Sequence, residues 1–194
     1  MTREAVRIIH EEHTAMSAML QTLHLVARRL KAGSNPQDFD LVRSMLFYMD
    51  EFPERLHHAK ESSVLFPRVR AKAPEVSEVL DQLDAQHARG TTAIRELEHL
   101  LLAFEQLGDT RRAAFIEALD RYVDAYVHHM QQEETAVLPL AQKVLSEEDW
   151  TVIELAFREQ RDPLTSRKPS DEYHGLLEKI LAKLPAPYGL GPAA

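Results

Sequence analysis

Four long segments of the sequence carry apolar residues at the 3.6-residue spacing of an α-helix, and this pattern constrains the fold more than any other feature. The segments cover residues 3–31, 38–72, 74–108 and 110–145. Long amphipathic segments joined by short turns are typical of an up-down-up-down antiparallel four-helix bundle. We therefore predict an all-α chain. We also predict kinks in the second segment at Pro53 and Pro67, because proline interrupts helical hydrogen bonding.

Residues 146–194 contain only short helical patterns. The sequence SEEDW, which begins at Ser146, is typical of a helix start and predicts a short helix that ends near Arg161. A second short helix is predicted over residues 171–183, before a tail rich in proline and glycine. We predict a bundle domain over residues 1–145 that is followed by a helical appendage, for which the sequence indicates no chemistry.

The composition of the 194-residue chain restricts its partners and its ligand atoms. The net charge is −8 and no run of Lys or Arg occurs, which argues against nucleic acid or an anionic membrane as a partner. The sequence has no apolar stretch of the roughly 20 residues that span a bilayer, and its first residues do not resemble a signal peptide, so we expect a cytoplasmic protein. Since the chain has no cysteine, its ten histidines and its carboxylates must hold any metal. Nothing indicates the oligomeric state.

Two stretches of the sequence share the pattern H-x3-E-x5-P. One contains His57 and Glu61, and the other contains His129 and Glu133. A spacing of four residues places each histidine one helical turn from its glutamate, on the same face. The pattern therefore identifies His57 and His129, rather than the neighbouring histidines, as the residues that matter.

The repeat extends upstream, because His13 precedes His57 by 44 residues and His87 precedes His129 by 42 residues. Each half of the bundle thus carries one histidine on its first helix and an H-x3-E pair on its second. A single histidine on an apolar stripe is usually a core residue, but six such residues in twofold sequence symmetry are hard to explain in that way. Buried carboxylates are costly unless they are paired or bind a metal. We predict that six metal ligands converge inside the bundle: His13, His57, Glu61, His87, His129 and Glu133.

The predicted ligand set is a mixture of nitrogen and oxygen atoms. Four imidazoles and two carboxylates suit iron, manganese or zinc better than calcium or magnesium. Six protein ligands cannot saturate two octahedral ions. The remaining positions are expected to hold water, an oxo or hydroxo bridge, or a small ligand such as dioxygen, peroxide or nitric oxide.

With these six residues, and with the sequences LFP at residues 65–67 and VLP at residues 137–139, the chain resembles the hemerythrin-like family of HHE cation-binding domains. The resemblance covers residues 1 to about 145, and the C-terminal extension is similar to that of some bacterial members. It implies a four-helix bundle that holds a non-haem di-iron centre. In that centre Glu61 and Glu133 would be the bridging carboxylates.

The sequence departs from the oxygen-carrying hemerythrins in two motifs. Those proteins have H-x3-H on the third helix, whereas the positions four residues from His87 are Leu83 and Thr91. They also end the fourth-helix motif with H-x4-D, whereas both Glu133 and Glu134 follow His129 here. The match with Glu61 favours Glu133. With one histidine fewer, we expect a more accessible site that is less suited to reversible oxygen carriage.

Four further residues near the predicted ligands have alternative roles. His10 lies on nearly the same face as His13, and it is an alternative ligand or a hydrogen-bond partner of a ligand. For His58 and His128 we expect a structural or hydrogen-bonding role, and for Tyr126 we expect core packing.

Several functions are compatible with these residues. We favour a non-haem di-iron protein that binds, senses or reacts with dioxygen, peroxide or nitric oxide, and the sequence does not decide whether it is an enzyme. The alternatives are an iron storage or delivery protein without turnover and a bundle with structural zinc. A ferritin-like carboxylate enzyme is disfavoured, because its E-x2-H spacing fails in the fourth segment, where Ala125 and Tyr126 stand three residues before the histidines.

Overall fold

The computed structural model describes residues 3–159, 161–165 and 173–183, and within these ranges every regular element is helical. The helices are α1 (Glu4–Arg29), α2 (Pro36–Met49), α3 (His58–Lys60), α4 (Phe66–Lys72), α5 (Ser77–Leu107), α6 (Arg112–Gln132), α7 (Leu138–Val144), α8 (Glu147–Glu159) and α9 (His174–Leu181). Helix α1 packs on α2 and α6, and α5 packs on the same two helices. The predicted all-α class is confirmed, while the up-down-up-down order and the domain boundary stay predictions.

Three π-helical turns connect short helices into longer ones. They are Asp50–His57 between α2 and α3, Glu61–Leu65 between α3 and α4, and Glu133–Val137 between α6 and α7. We call the continuous rod from α2 to α4 the second bundle helix, and the rod from α6 to α7 the fourth bundle helix. Single π-helical turns inside α-helices frequently occur at functional sites.

The π-helical turns lie where the sequence predicted kinks. Pro53 lies inside the first turn, and Pro67 is in the first turn of α4, directly after the second. Because proline has no N–H, it cannot donate the regular helical hydrogen bond. In the wider turn the N–H of Phe66, the residue before Pro67, reaches the carbonyl of Glu61, five residues back, and the chain continues as α4.

The predicted start of a helix at SEEDW is confirmed by a reciprocal cap. The Ser146 hydroxyl accepts the N–H of Asp149 at 3.2 Å, and the Asp149 carboxylate accepts the N–H of Ser146 at 3.0 Å. This is the capping-box arrangement with aspartate in place of glutamate. The second predicted short helix corresponds to α9, whereas residues 171, 172 and 184–194 lie outside the described residues.

Two apolar clusters lie at opposite ends of the bundle. The first cluster uses the residues of α1 that follow His13 together with α2, and the second uses the residues that precede His13 together with α4. Helix α8 packs on α1 and contributes Trp150 and Phe157 to the second cluster, and α9 packs on α2 beside the first. The histidines and glutamates of the repeat therefore form a polar layer between two apolar ones.

Among the described helices, none is both long enough and apolar enough to cross a membrane.

Candidate metal centre

The six residues predicted as ligands lie together, buried in the polar layer. Together with His58, they make up two groups of four residues that share Glu61, and in each group one nitrogen or oxygen atom per residue lies within 4.8 Å of the others. The first group consists of His13, His57, Glu61 and Glu133, and the second consists of His58, Glu61, His87 and His129.

In the first group the Nε2 atoms of His13 and His57 lie 3.2 Å apart. His57 Nε2 is 3.1 Å from Oε1 of Glu61, and His13 Nε2 is 3.3 Å from Oε2 of Glu133. Two imidazole nitrogens and two carboxylate oxygens thus face one point.

The second group has the same arrangement on the other side of the two carboxylates. The Nε2 atoms of His87 and His129 lie 3.0 Å apart. His87 Nε2 is 3.6 Å from Oε2 of Glu61, and His129 Nε2 is 3.4 Å from Oε1 of Glu133. Each glutamate therefore points one oxygen toward each group, which is the geometry of a carboxylate that bridges two cations.

The donor atoms of the two groups fit metal cations. Both carboxylate oxygens of Glu61 and both of Glu133 are buried without a hydrogen-bond partner. A buried carboxylate without partners is strongly destabilising, so such oxygens are normally paired or bind a metal. Iron, manganese and zinc are the cations that a set of imidazoles and carboxylates suits.

Each of the four predicted histidines is held through its outer nitrogen. In the first group, His57 Nδ1 donates to Oε2 of Glu12 at 2.7 Å, and His13 Nδ1 donates to Oε1 of Glu134 at 2.9 Å. An acceptor at Nδ1 places the proton there and leaves Nε2 with its lone pair toward the centre, as in most metal-binding histidines.

In the second group the acceptors are uncharged. His129 Nδ1 donates to Oε1 of Gln86 at 2.7 Å, and His87 Nδ1 donates to the Ser62 hydroxyl at 2.8 Å. That hydroxyl in turn donates to the carboxylate of Asp84 at 2.6 Å. The outer contacts of both groups therefore select the same tautomer.

Glu12, Gln86 and Ser62 are not predicted from the sequence, although their positions in the repeat are equivalent to one another or to other partners of the ligands. Glu12 and Gln86 directly precede the single histidine of each half, and Ser62 directly follows the glutamate of the first H-x3-E motif. When the two halves are aligned on the predicted ligands, Glu12 aligns with Gln86, and Ser62 aligns with Glu134.

His58 belongs to the second group, in addition to the hydrogen bonds that the sequence predicted for it. Its Nδ1 lies 3.2 Å from the Glu54 carboxylate, and its Nε2 accepts the Tyr126 hydroxyl at 3.0 Å. The ring stacks on His87 with centroids 4.1 Å apart. Successive residues of a helix are about 100° apart, so the residue after a motif histidine lies nearer the face of the motif glutamate than the residue before it does. His58 follows His57, whereas His128 precedes His129, and this difference predicts that His58 and not His128 faces the centre.

The other neighbouring residues lie outside both groups. His128, which precedes the motif histidine, is exposed. Glu134 is outside the groups, and its carboxylate lies 3.2 Å from Nδ1 of the exposed His10. Glu133 rather than Glu134 therefore faces the centre, and His10 contacts a partner of a candidate ligand rather than the centre itself.

Electrostatics distinguishes the two buried glutamates. Burial raises the pKa of Glu61, but the positive charge of the nearby His57 outweighs burial, and the pKa falls well below its usual value. Burial and the negative charge of Glu61 raise the pKa of Glu133. The two carboxyl groups of the metal-free protein therefore differ in their affinity for a proton, and cation binding at Glu133 competes with its protonation.

The pKa values of the histidines also differ between the two groups. Burial lowers the pKa of His57, but the charge of Glu61 and the hydrogen bond to Glu12 raise it to about 9 overall. Burial lowers the pKa of His58 to about 3 and that of His87 to about 4. The second group therefore presents neutral imidazoles at neutral pH.

A cavity of about 330 Å³ between α5 and α6 reaches the second group at His58 and His129. The exposed side chains of Arg89 and Arg121 line its outer part. Small residues leave the space open, and Ala93, Ala118 and Ala125 are among them.

The floor of the cavity contains a buried carboxylate, Glu54. It accepts the Tyr122 hydroxyl at 2.9 Å and contacts His58, and burial raises its pKa to about 7. Gly90 of α5 faces it so closely that a Cβ at that position would lie 2.3 Å from the Glu54 carboxylate. Glycine at this point of the helix therefore makes room for Glu54.

A helical bundle with buried histidine and glutamate groups of this kind is compatible with metal binding. The sequence matches the hemerythrin HHE cation binding domain over residues 4–141, and the chain belongs to that family. None of the curated proteins that were compared with the chain matches it.

Proposed function

We propose that this chain is a non-haem di-iron protein whose two groups each hold one iron inside an up-down-up-down bundle, and that it binds dioxygen, peroxide or nitric oxide. The observation that carries the proposal is the pair of buried glutamates, which point four unpaired oxygens toward two sets of imidazoles. Two bound irons would supply redox chemistry and an open coordination position for a small ligand.

The residues of the chain have separate tasks in this proposal. His13 and His57 hold the first iron, His87 and His129 hold the second, and Glu61 and Glu133 hold both. The acceptors at each Nδ1 orient the rings so that Nε2, once the entering cation has displaced any proton from it, faces the iron.

The cavity supports ligand binding at the second group. It ends at His58 and His129, whereas the first group does not line it. Tyr126 also lines the cavity, where its hydroxyl hydrogen-bonds His58 and so fixes that ring beside a ligand in the cavity. A volume of about 330 Å³ admits any of the three proposed ligands.

A storage or delivery protein is the second candidate, and the same cavity favours it. A metal at the second group has a route to solvent between α5 and α6, so it has a path for release. The two functions differ in what happens at the second group: a ligand-binding protein keeps the iron, and a delivery protein gives it up.

The test is anaerobic reconstitution of the metal-free protein with Fe(II), followed by air, with iron counted per chain and the visible spectrum recorded. We expect two irons per chain and new near-ultraviolet charge-transfer bands after air. Reversal of the bands on oxygen removal indicates a carrier or sensor, and turnover with added peroxide indicates an enzyme. Transfer of one iron to a chelator within minutes favours delivery, and a colourless protein that prefers zinc contradicts the proposal.

A further inference from the structure

The segment after the fourth bundle helix lies beyond the family match, yet it contacts the first group. Helix α8 packs along α1, and its Phe157 ring meets the His57 imidazole edge-on, with centroids 6.2 Å apart. The ammonium group of Lys60 lies 4.7 Å from the centroid of the same ring. The C-terminal segment therefore covers the side of His57 that faces away from the centre.

The contact that matters most runs through Glu12. This carboxylate is only 1% exposed, and each of its oxygens has a different partner. Oε2 accepts His57 Nδ1 at 2.7 Å, and Oε1 accepts the backbone N–H of Asp162 at 3.1 Å. A buried carboxylate needs donors at both oxygens, so the orientation of Glu12, and with it that of His57, depends on the C-terminal segment.

Asp162 is itself fixed from another direction. The buried hydroxyl of Tyr48 on α2 donates to its Oδ2, and its Oδ1 accepts the N–H of Leu164 at 2.7 Å. The side chain is 6% exposed. A continuous buried chain of hydrogen bonds therefore runs from Tyr48 through Asp162 and Glu12 to His57.

A second contact holds the C-terminal segment to α1, next to this chain of hydrogen bonds. The Arg161 guanidinium lies 2.6 Å from the carboxylate of Glu11, the residue before Glu12. Two successive residues of the C-terminal segment thus bind two successive residues of α1.

We propose that residues 147–159 and 161–165 are a positioning element of the metal centre, in which Asp162 fixes Glu12 so that His57 holds a slowly exchanging metal in the first group. The inference rests on the proposed function only in taking His57 as a metal ligand. It assigns a role to a segment for which the sequence indicated none, and it predicts that the two groups release metal at different rates.

The test uses the full chain loaded with Co(II), whose visible bands report each metal during release to excess EDTA. We expect a fast phase from the second group and a slow phase from the first, and His129→Ala identifies the fast phase by removing it. Asp162→Ala keeps the backbone N–H that Glu12 accepts but removes the carboxylate that Tyr48 and the Leu164 N–H hold. Because Glu12 is then held less firmly behind His57, the slow phase should become about three- to tenfold faster, less than the about 10–100-fold effect of losing the histidine's own partner. The fast phase should not change.

Three variants separate positioning from general stability. Asp162→Asn keeps the acceptor for the Leu164 N–H, and its amide NH2 can donate to the Tyr48 hydroxyl oxygen in place of the bond that Tyr48 donates to Asp162. Both contacts can therefore persist, and this variant should retain the slow phase. Tyr48→Phe removes one hydrogen bond from the far end of the chain and should give a smaller acceleration in the same phase. Ile180→Ala is the matched control. It truncates a buried side chain of α9 and so weakens C-terminal packing, but it changes no contact of Glu12.

A readout on the metal-free protein keeps this inference distinct from the proposed function. The Nδ1 proton of His57 should give a slowly exchanging NMR signal in the natural protein and in Asp162→Asn, and a rapidly exchanging one in Asp162→Ala. If the natural protein binds no cobalt, the proposed function fails while this signal still decides the positioning of His57. Equal acceleration of both phases, or an unchanged His57 signal in Asp162→Ala, overturns the inference.

Discussion

The two groups of the metal centre occupy equivalent places in a repeated sequence, yet their outer hydrogen bonds differ in charge. In each half, the residue directly before the single histidine accepts a hydrogen bond from the histidine of the H-x3-E motif. Glu12 accepts from His57 in the first half, and Gln86 accepts from His129 in the second. The residue directly after the glutamate of each motif accepts a hydrogen bond from the single histidine of the other half. Ser62 accepts from His87, and Glu134 accepts from His13. Both carboxylates therefore serve the first group.

This difference implies unequal metal affinities within one symmetric frame. A carboxylate acceptor raises the basicity of an imidazole and adds negative charge near the cation, whereas an amide or hydroxyl acceptor does so less. The first group is also covered by the C-terminal segment, while the second group borders the cavity. The repeat thus builds two similar ligand sets, and residues outside the repeat make one closed and the other open.

Removal of the Glu61 carboxylate, which belongs to both groups, should have the largest effect, because neither group should then bind metal. Glu61 contributes to both groups, so Glu61→Ala should bind almost no iron, whereas His129→Ala should keep about one iron per chain. Iron counted after anaerobic reconstitution and gel filtration checks this. Circular dichroism of the metal-free variants is the control for folding, and one retained iron in Glu61→Ala would contradict the bridging role.

An exchange of the outer acceptors should reverse the asymmetry. Glu12→Gln removes the carboxylate behind His57, and we expect first-group affinity to fall about 10–100-fold. Gln86→Glu supplies a carboxylate behind His129 and should strengthen the second group, by less because Gln86 also donates to Gln132. Competition with a chelator measures both affinities, and unchanged values in both variants would show that acceptor charge does not set the difference.

A side chain that fills the cavity should affect ligands without affecting metal. Ala118→Leu adds bulk to the cavity wall on α6, away from every candidate ligand. We expect about a tenfold slower association of azide or nitric oxide with the iron-loaded protein, and two irons per chain as before. Ala103→Leu, on α5 outside the cavity, is the matched control. Equal association rates in all three proteins would mean that ligands enter by another route.

The sequence predicts the six inward ligands because each follows from helical phase and from the repeat. Spacing of four residues fixes the relation of His57 to Glu61, and apolar neighbours show which face is inside. Glu133 is preferred over Glu134 on the same ground, and the structure places Glu133 in the first group.

Other features depend on tertiary contacts that no local pattern encodes. The hydrogen bond from Asp162 to Glu12 joins residues 150 positions apart, so neither segment alone reveals it. The position of His58 in the second group breaks the repeat, since its counterpart in the second half is Met130. The π-helical turns lie at the prolines for which the sequence predicted kinks, but the sequence does not show that the interruption takes the form of a wider turn.

The smallest predicted effect concerns the floor of the open side of the centre. In a helix interior, Gly→Ala usually stabilises by about 1 kcal/mol. At Gly90 a Cβ would meet the Glu54 carboxylate at 2.3 Å, so Gly90→Ala should displace a buried group that Tyr122 and His58 hydrogen-bond. We expect the free energy of unfolding of the metal-free protein to fall by about 1–2 kcal/mol, as for a buried acceptor that loses its partners.

The sign of this effect should depend on Glu54. In a Glu54→Ala background the obstruction is gone, and Gly90→Ala should then stabilise the protein by about 0.5–1 kcal/mol, as it does in an ordinary helix. Urea unfolding of the four proteins in this double-mutant cycle measures the coupling. A stabilising Gly90→Ala in the natural background would mean that Glu54 moves at little cost, and the cavity floor would then be adaptable rather than fixed. A reversal of sign, in contrast, would show that the helix accepts a glycine here in order to hold one buried carboxylate beside the open group.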